Sequence, residues 1–195
     1  MEFQQAVSKR RMYRNFEDRP VPPEALTRIL ENAIRAPSAG FSQGWAFLVL
    51  EGPEQTAHFW EASFPERRED FRWQGLFKAP VIIVPMSHKR AYLDRYAEPD
   101  KGWTDRDESR WPTSFWDTDT AFASMLILLT VVDCGLGSLF FGVTRKDEVR
   151  REFGVPGDYD PIGAIALGYP APDEPSPSLR RGRRPLEEVV HRGGW

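Results

Sequence analysis

Cysteine is nearly absent from this chain of 195 residues. The single Cys134 allows no disulfide within the chain and no multi-cysteine zinc site, which points to a reducing compartment. Histidine is scarce as well, and His58, His88 and His191 have neither helical i, i+4 spacing nor cysteine partners, so they read as ordinary histidines and not as metal ligands. Charge of one sign is lacking: 26 Lys and Arg against 29 Asp and Glu leave a net charge of −3. That balance gives no overall pull toward nucleic acid or anionic lipid. The longest apolar stretch, 121–132, falls short of the roughly twenty residues that a membrane span needs. MEFQQAVSKRR at the start has no secretory apolar region before its charges. The expected protein is soluble and cytoplasmic, with no nucleic-acid or membrane partner. Repeats and low-complexity blocks are also missing, so 1–195 reads as one domain with a C-terminal arm over about 170–195.

What is present is apolar and aromatic material: 41% hydrophobic residues and seven tryptophans, enough for an ordinary core and for a pocket that stacks on something flat. Phe3, Ala6 and Val7 predict a short helix running out into Lys9, Arg10 and Arg11. Leu26, Ile29, Leu30, Ala33 and Ile34 form a helical stripe that starts at Pro22 and Pro23 and is stopped by Pro37. The runs 46–51, 80–87 and 161–169 read as buried strands, with Pro85 placing the second near an edge. Residues 117–120 offer N-caps to an apolar helix over 121–132, and Gly135 ends it before a glycine-broken apolar segment, 136–143. Thr144 is placed to cap a short helix that Gly154 stops. Roughly three to five strands and at least four helices make a layered α+β or α/β domain.

Several motifs fail on spacing. A dinucleotide fingerprint at Gly135 and Gly137 lacks its third glycine, because Phe140 stands there, and nucleophile elbows at Ser38 and Ser138 lack their first glycines. The carboxylates Asp117 and Asp119 read as helix caps, whereas Glu66, Glu69 and Asp70 lie in a solvated charge run. Three segments survive. Arg10, Arg11, Met12, Tyr13, Arg14, Asn15 and Phe16 concentrate positive charge at a helix end. RAPSAGFSQGW over 35–45 is a small-residue loop that lets backbone approach a flat ligand. SLRRGRRP over 178–185 suits a phosphate. Between them, 92–116 carries Trp103, Trp111, Phe115 and Trp116 among many charges; it suits a mobile cover over an aromatic acceptor, or a dimer contact or satellite core.

Together these segments resemble the FMN-dependent nitroreductase family over close to the whole chain. Arg10, Arg11, Arg14 and Phe16 match the family's opening pattern, with Met12 where serine is usual. Ala36, Pro37, Ser38, Gln43 and Trp45 match its loop, with Gly44 in place of proline and Phe41 in place of a flavin-bonding asparagine. Residues 135–142 resemble its Gly-Leu-Gly strand, and Arg181, Gly182, Arg183, Arg184 and Pro185 its C-terminal basic pair.

The resemblance implies an α+β fold: a central, mainly antiparallel sheet flanked by helices, with the C-terminal arm exchanged in a homodimer that holds FMN at its interface. It implies NAD(P)H as reductant and a small aromatic acceptor, such as a nitroaromatic or quinone. The implied cofactor contacts are Arg10, Arg11, Met12, Arg14, Pro37, Ser38, Ala39, Gly40, Phe41, Gln43, Phe141, Gly142, Arg181, Arg183 and Arg184. The backbone amides of Phe141 and Gly142 would lie near flavin N5, Arg14 would support the reduced flavin's charge, and no dedicated acid or base is required. The expected substrate pocket is Phe41, Trp103, Trp111, Phe115 and Trp116. Met12 and Phe41 also suit a flavin- or deazaflavin-sequestering protein without turnover, and Gly40-Phe41 is similar to the relatives that cleave flavin to dimethylbenzimidazole.

Overall fold

The computed structural model describes residues 1–64 and 70–195; Glu66 and Glu69 of the charge run lie outside the described residues. Among the described residues six α-helices and a five-stranded sheet alternate irregularly: α1 (Phe3–Lys9), α2 (Pro23–Ala33), β1 (Trp45–Glu51), α3 (Gly52–Ser63), β2 (Val81–Ser87), α4 (Lys89–Tyr96), α5 (Phe115–Asp133), β3 (Gly137–Phe141), α6 (Lys146–Glu152), β4 (Asp160–Pro161) and β5 (Ala164–Gly168). The strands run in the order β1-β2-β5-β3, with β4 also on β2. Every pairing is antiparallel.

Period-2 alternation divides the sheet's side chains between two cores. Val81, Ile83, Ile165 and Leu167 face α2 and α5, meeting Leu26, Ile29, Ala33, Ile127 and Val131. Ile82, Val84, Met86, Ala164 and Ala166 face the other way, onto Phe59, Trp60 and Val149 of α3 and α6. Both faces are covered, which is why β2 is buried along its whole length and apolar up to its final residue, Ser87.

Four expectations are corrected. Pro85 sits in a central strand: it pairs with Phe47 on one side, and on the other its carbonyl accepts the Ile162 N–H at 3.1 Å in the gap between β4 and β5. A proline is tolerated there because the ladder is interrupted where its N–H would have pointed. That same gap splits the run 161–169 into two strands. Helix α5 begins at Phe115, so Asp117 and Asp119 lie inside it and do not cap it. It has 19 residues, long and apolar enough by length and composition to cross a membrane, yet it is packed on the sheet with ten of them buried. Helix α6 begins one residue later than Thr144 could cap, with Arg145 at its N-cap. Helices α3 and α4 were not foreseen.

Candidate functional site

The chain leaves α1 in extended backbone and joins the sheet's outer strand. Met12 forms a parallel bridge with Ser138, the Tyr13 N–H donates to the Ser138 carbonyl at 2.9 Å, and the Phe140 N–H donates to the Met12 Sδ at 3.5 Å. Gly137 makes this approach possible, since a Cβ there would lie 2.8 Å from the Tyr13 ring. On its other side the segment is stitched to the chain leaving β5. Phe16 bridges Pro170, the Asn15 amide donates to the Pro172 carbonyl at 2.6 Å, and the Arg14 N–H donates to Asp173 Oδ2 at 2.9 Å. Arg14 is thereby fixed at the rim of a cavity of about 240 Å³, lined otherwise by aromatic and apolar side chains and by Phe141 and Gly142 of the β3 end. A Cβ on Gly142 would meet no atom within 4 Å, so the backbone there is open to close approach. Arg14 stacks over Trp73 at 5.1 Å and, among the described residues, forms no ion pair.

The loop 36–44 is held by a buried network. Asp119 Oδ2 accepts both the Ala39 N–H and the Tyr92 hydroxyl, each at 2.8 Å, and Ser38 Oγ accepts the Gln43 N–H at 2.8 Å. Burial first, and then Asp119, push the Tyr92 phenol well above its ordinary value. From α4, Arg95 Nε donates to the Gly40 carbonyl at 2.9 Å while its guanidinium pairs with Asp100. Gly40 has φ 61° and touches Tyr96, so it must be glycine. Phe41 and Gln43 hold φ of 55° and 49°, and Phe41 is 73% exposed. Gly44 has its own reason for not being proline: a Cβ there would lie 2.4 Å from the Tyr92 ring and 2.8 Å from the His88 carbonyl.

Trp103, Trp111, Phe115 and Trp116 come together, but with each other. Trp111 touches Tyr92, Tyr96, Trp103, Phe115 and Trp116, at centroid distances of 6.0, 4.5, 5.6, 5.9 and 6.0 Å. These rings back the 36–44 loop through Tyr92 and Tyr96 and do not line the Arg14 cavity. At the other end, 177–195 is exposed throughout. Arg184 pairs with Glu188 at 3.3 Å, whereas Arg181 and Arg183, like Arg10, have no carboxylate partner among the described residues. Sequence reasoning missed Trp60, Phe64, Phe71 and Phe77 of the cavity, and the Asp119–Tyr92 pair. The signal for the first four was in the aromatic excess of 59–77; the second is a long-range contact with no local mark.

Residues 7–169 match the family described as the Nitroreductase family. The chain belongs to it. It is 30% identical over 201 residues to the NADH dehydrogenase of Thermus thermophilus, covering 95% of this chain and 93% of that one. Among solved structures, a nitroreductase family protein of Clostridium difficile has a TM-score of 0.73 at 25% identity, with 100% of each chain covered. The FMN-dependent nitroreductase of Clostridium difficile R20291, with a TM-score of 0.70 at 23% identity over 97% of this chain and 98% of that one, shares the fold. The antiparallel sheet with its flanking helices is thus the nitroreductase fold, and the chain is an oxidoreductase by family.

Proposed function

We propose that this nitroreductase-family chain takes reducing equivalents from NAD(P)H through FMN to an electrophilic aromatic acceptor, and that it works as a homodimer with FMN at the interface. The observation that carries the reading is the zipper of Met12 and Tyr13 onto Ser138, which fixes Arg14 beside the cavity that Phe141 and Gly142 border. FMN supplies the two-electron chemistry when bound. The residues fit it. Gly142 leaves room for a flat group to approach backbone. Arg14, whose guanidinium has no ion pair among the described residues, offers its charge to a ring edge that becomes negative on reduction. Arg10, Arg181 and Arg183 hold the phosphate, since unpaired guanidiniums make strong charge-assisted bonds to it. Met12 has no hydroxyl to offer where serine is usual; its sulfur instead accepts the Phe140 N–H.

The second copy covers apolar surface that one chain leaves in water: Ile34 at the end of α2, Phe122 and Met125 on α5, and Leu179, Leu186 and Trp195 on the arm. Its loop 37–43, pinned by Asp119 and Arg95, packs against the cofactor ring. The test is the visible spectrum of the FMN-loaded protein without oxygen. Loss of the flavin band on adding NADH or NADPH is expected, whereas a flavin that stays oxidised would favour sequestration without turnover.

A further inference from the structure

The hydrogen-bonded turn 39–42 is built against its own sequence. The Ser42 N–H donates to the Ala39 carbonyl at 3.1 Å, and both residues between them are left-handed: Gly40 has φ 61° and ψ 13°, and Phe41 has φ 55°. Positive φ at both central residues is the type I′ pattern, which suits Asn-Gly or Gly-Gly. Glycine followed by a bulky residue suits type II′ instead, where only the first of the two needs positive φ. The two forms differ by reversal of one peptide unit, the one joining Gly40 to Phe41. Reversal would carry Phe41 out of the left-handed region, whose penalty for such a residue corresponds to about five- to thirtyfold in population.

Two bonds oppose it, one at each end of that peptide unit. The Phe41 N–H donates to the Ser38 carbonyl at 2.9 Å. The Gly40 carbonyl accepts the Arg95 Nε–H, also at 2.9 Å. Arg95 gives this donor in a fixed direction, because Asp100 takes its two terminal nitrogens at 2.7 and 2.8 Å and so orients the planar guanidinium. A neutral bond such as the first is worth about two- to tenfold, whereas one from a charged donor is worth roughly ten- to a hundredfold. On these magnitudes the Ser38 bond alone falls short of the strain, and with Arg95 added the observed form prevails.

We infer that Arg95 is a positioning residue: it holds the Gly40–Phe41 peptide in its observed orientation, and through it decides where the exposed Phe41 ring stands. The inference rests on the proposed function only in that the loop then presents this ring to the cofactor site of a second copy; the turn itself needs no flavin.

The test is the nuclear Overhauser contact between the Gly40 and Phe41 amide hydrogens in the full chain without FMN, strong in type I′, where the two lie close, and weak in type II′. Wild type should show it strongly. Arg95→Met keeps the apolar stem and removes the donor, and the contact should fall to about half or less as the reversed form becomes populated. Arg95→Lys, which keeps the charge beside Asp100 but has carbon where Nε was, should behave alike and stands in if the Met variant folds poorly. Adding Phe41→Gly to either variant removes the left-handed cost and should restore the contact, a rescue that general loosening of the loop would not give. An undiminished contact in both single variants, or no restoration by Phe41→Gly, overturns the inference. FMN titration separates it from the flavin reading. The single variants should bind FMN about two- to tenfold more weakly, in proportion to the competent turn that remains. If the turn reverses as described while FMN affinity stays at the wild-type value, Arg95 still sets the turn, and the loop's place against the cofactor falls.

Discussion

The phenol of Tyr92 and the carboxylate of Asp119, both buried, meet at 2.8 Å, and the carboxylate oxygen between them also holds the Ala39 N–H. One helix of the core, α5, thus reaches out to fix both α4 and the loop 36–44. Tyr92→Phe should cost about 1.5 to 3 kcal/mol, the worth of a hydrogen bond to a charged group, read by denaturant unfolding. The pH dependence follows from the raised phenol. Above its ordinary value of 10.0 the unfolded chain gives up a proton that the native chain keeps. The Tyr92 contribution is therefore complete below that pH and lost as pH rises beyond it. Between about pH 9 and pH 11 wild type should lose stability more steeply than Tyr92→Phe. Parallel curves would mean that this phenol does not titrate differently on folding.

Gly40→Ala should be costly for two independent reasons: the left-handed φ of 61° and a Cβ placed 2.5 Å from Tyr96. A loss of about 1 to 3 kcal/mol is expected in thermal or denaturant unfolding. A neutral substitution would show that Tyr96 yields easily and that the loop is looser than its contacts imply.

Arg181→Ala combined with Arg183→Ala touches only exposed side chains, so circular dichroism should be unchanged. Under the proposed function FMN affinity should fall by about two to four decades, as each charge-assisted bond is worth roughly 1.5 to 3 kcal/mol. Fluorescence titration with FMN decides it; wild-type affinity would place the phosphate elsewhere.

Phe41→Asn puts into a φ of 55° a residue that tolerates that region better than phenylalanine does. The ring is 73% exposed, so stability should not drop. If the ring narrows the partner's acceptor site, the variant should turn over bulky quinones faster while holding FMN affinity within about tenfold. An identical acceptor profile in steady-state kinetics would place Phe41 outside that site.

The parts of the fold that were legible in the sequence are those with one apolar period and a clear stop. Leu26, Ile29 and Ala33 between Pro23 and Pro37 gave α2, and 46–51 and 80–87 announced β1 and β2. Helix α3 was not legible because Thr56 and Ser63 share its buried face with Phe59 and Trp60, which blurs the stripe. Helix α4 buries only Tyr92 and so has no stripe at all. Asp119 resembled a cap because carboxylates near a helix start usually are; its partners lie 27 and 80 residues away. Of the residues around the cavity, Arg14, Phe141 and Gly142 were named through the family resemblance, and Trp60 was not, since the wall is assembled from α3, 71–77 and β3.

The stitching of Arg14 to Asp173 spans 159 positions, and that of Asn15 to Pro172 spans 157. During synthesis the basic segment therefore leaves the ribosome long before the stretch it must be joined to exists. Its other neighbour, Ser138, also comes late. Contacts of such separation form slowly and late in folding. Residues 10–16 must wait as a solvated cationic strand until the outer strand and the exit from β5 have been made. The rim of the cavity is thus closed by residues 159 positions apart in the chain, and a nascent chain arrested before Pro170 would lack it.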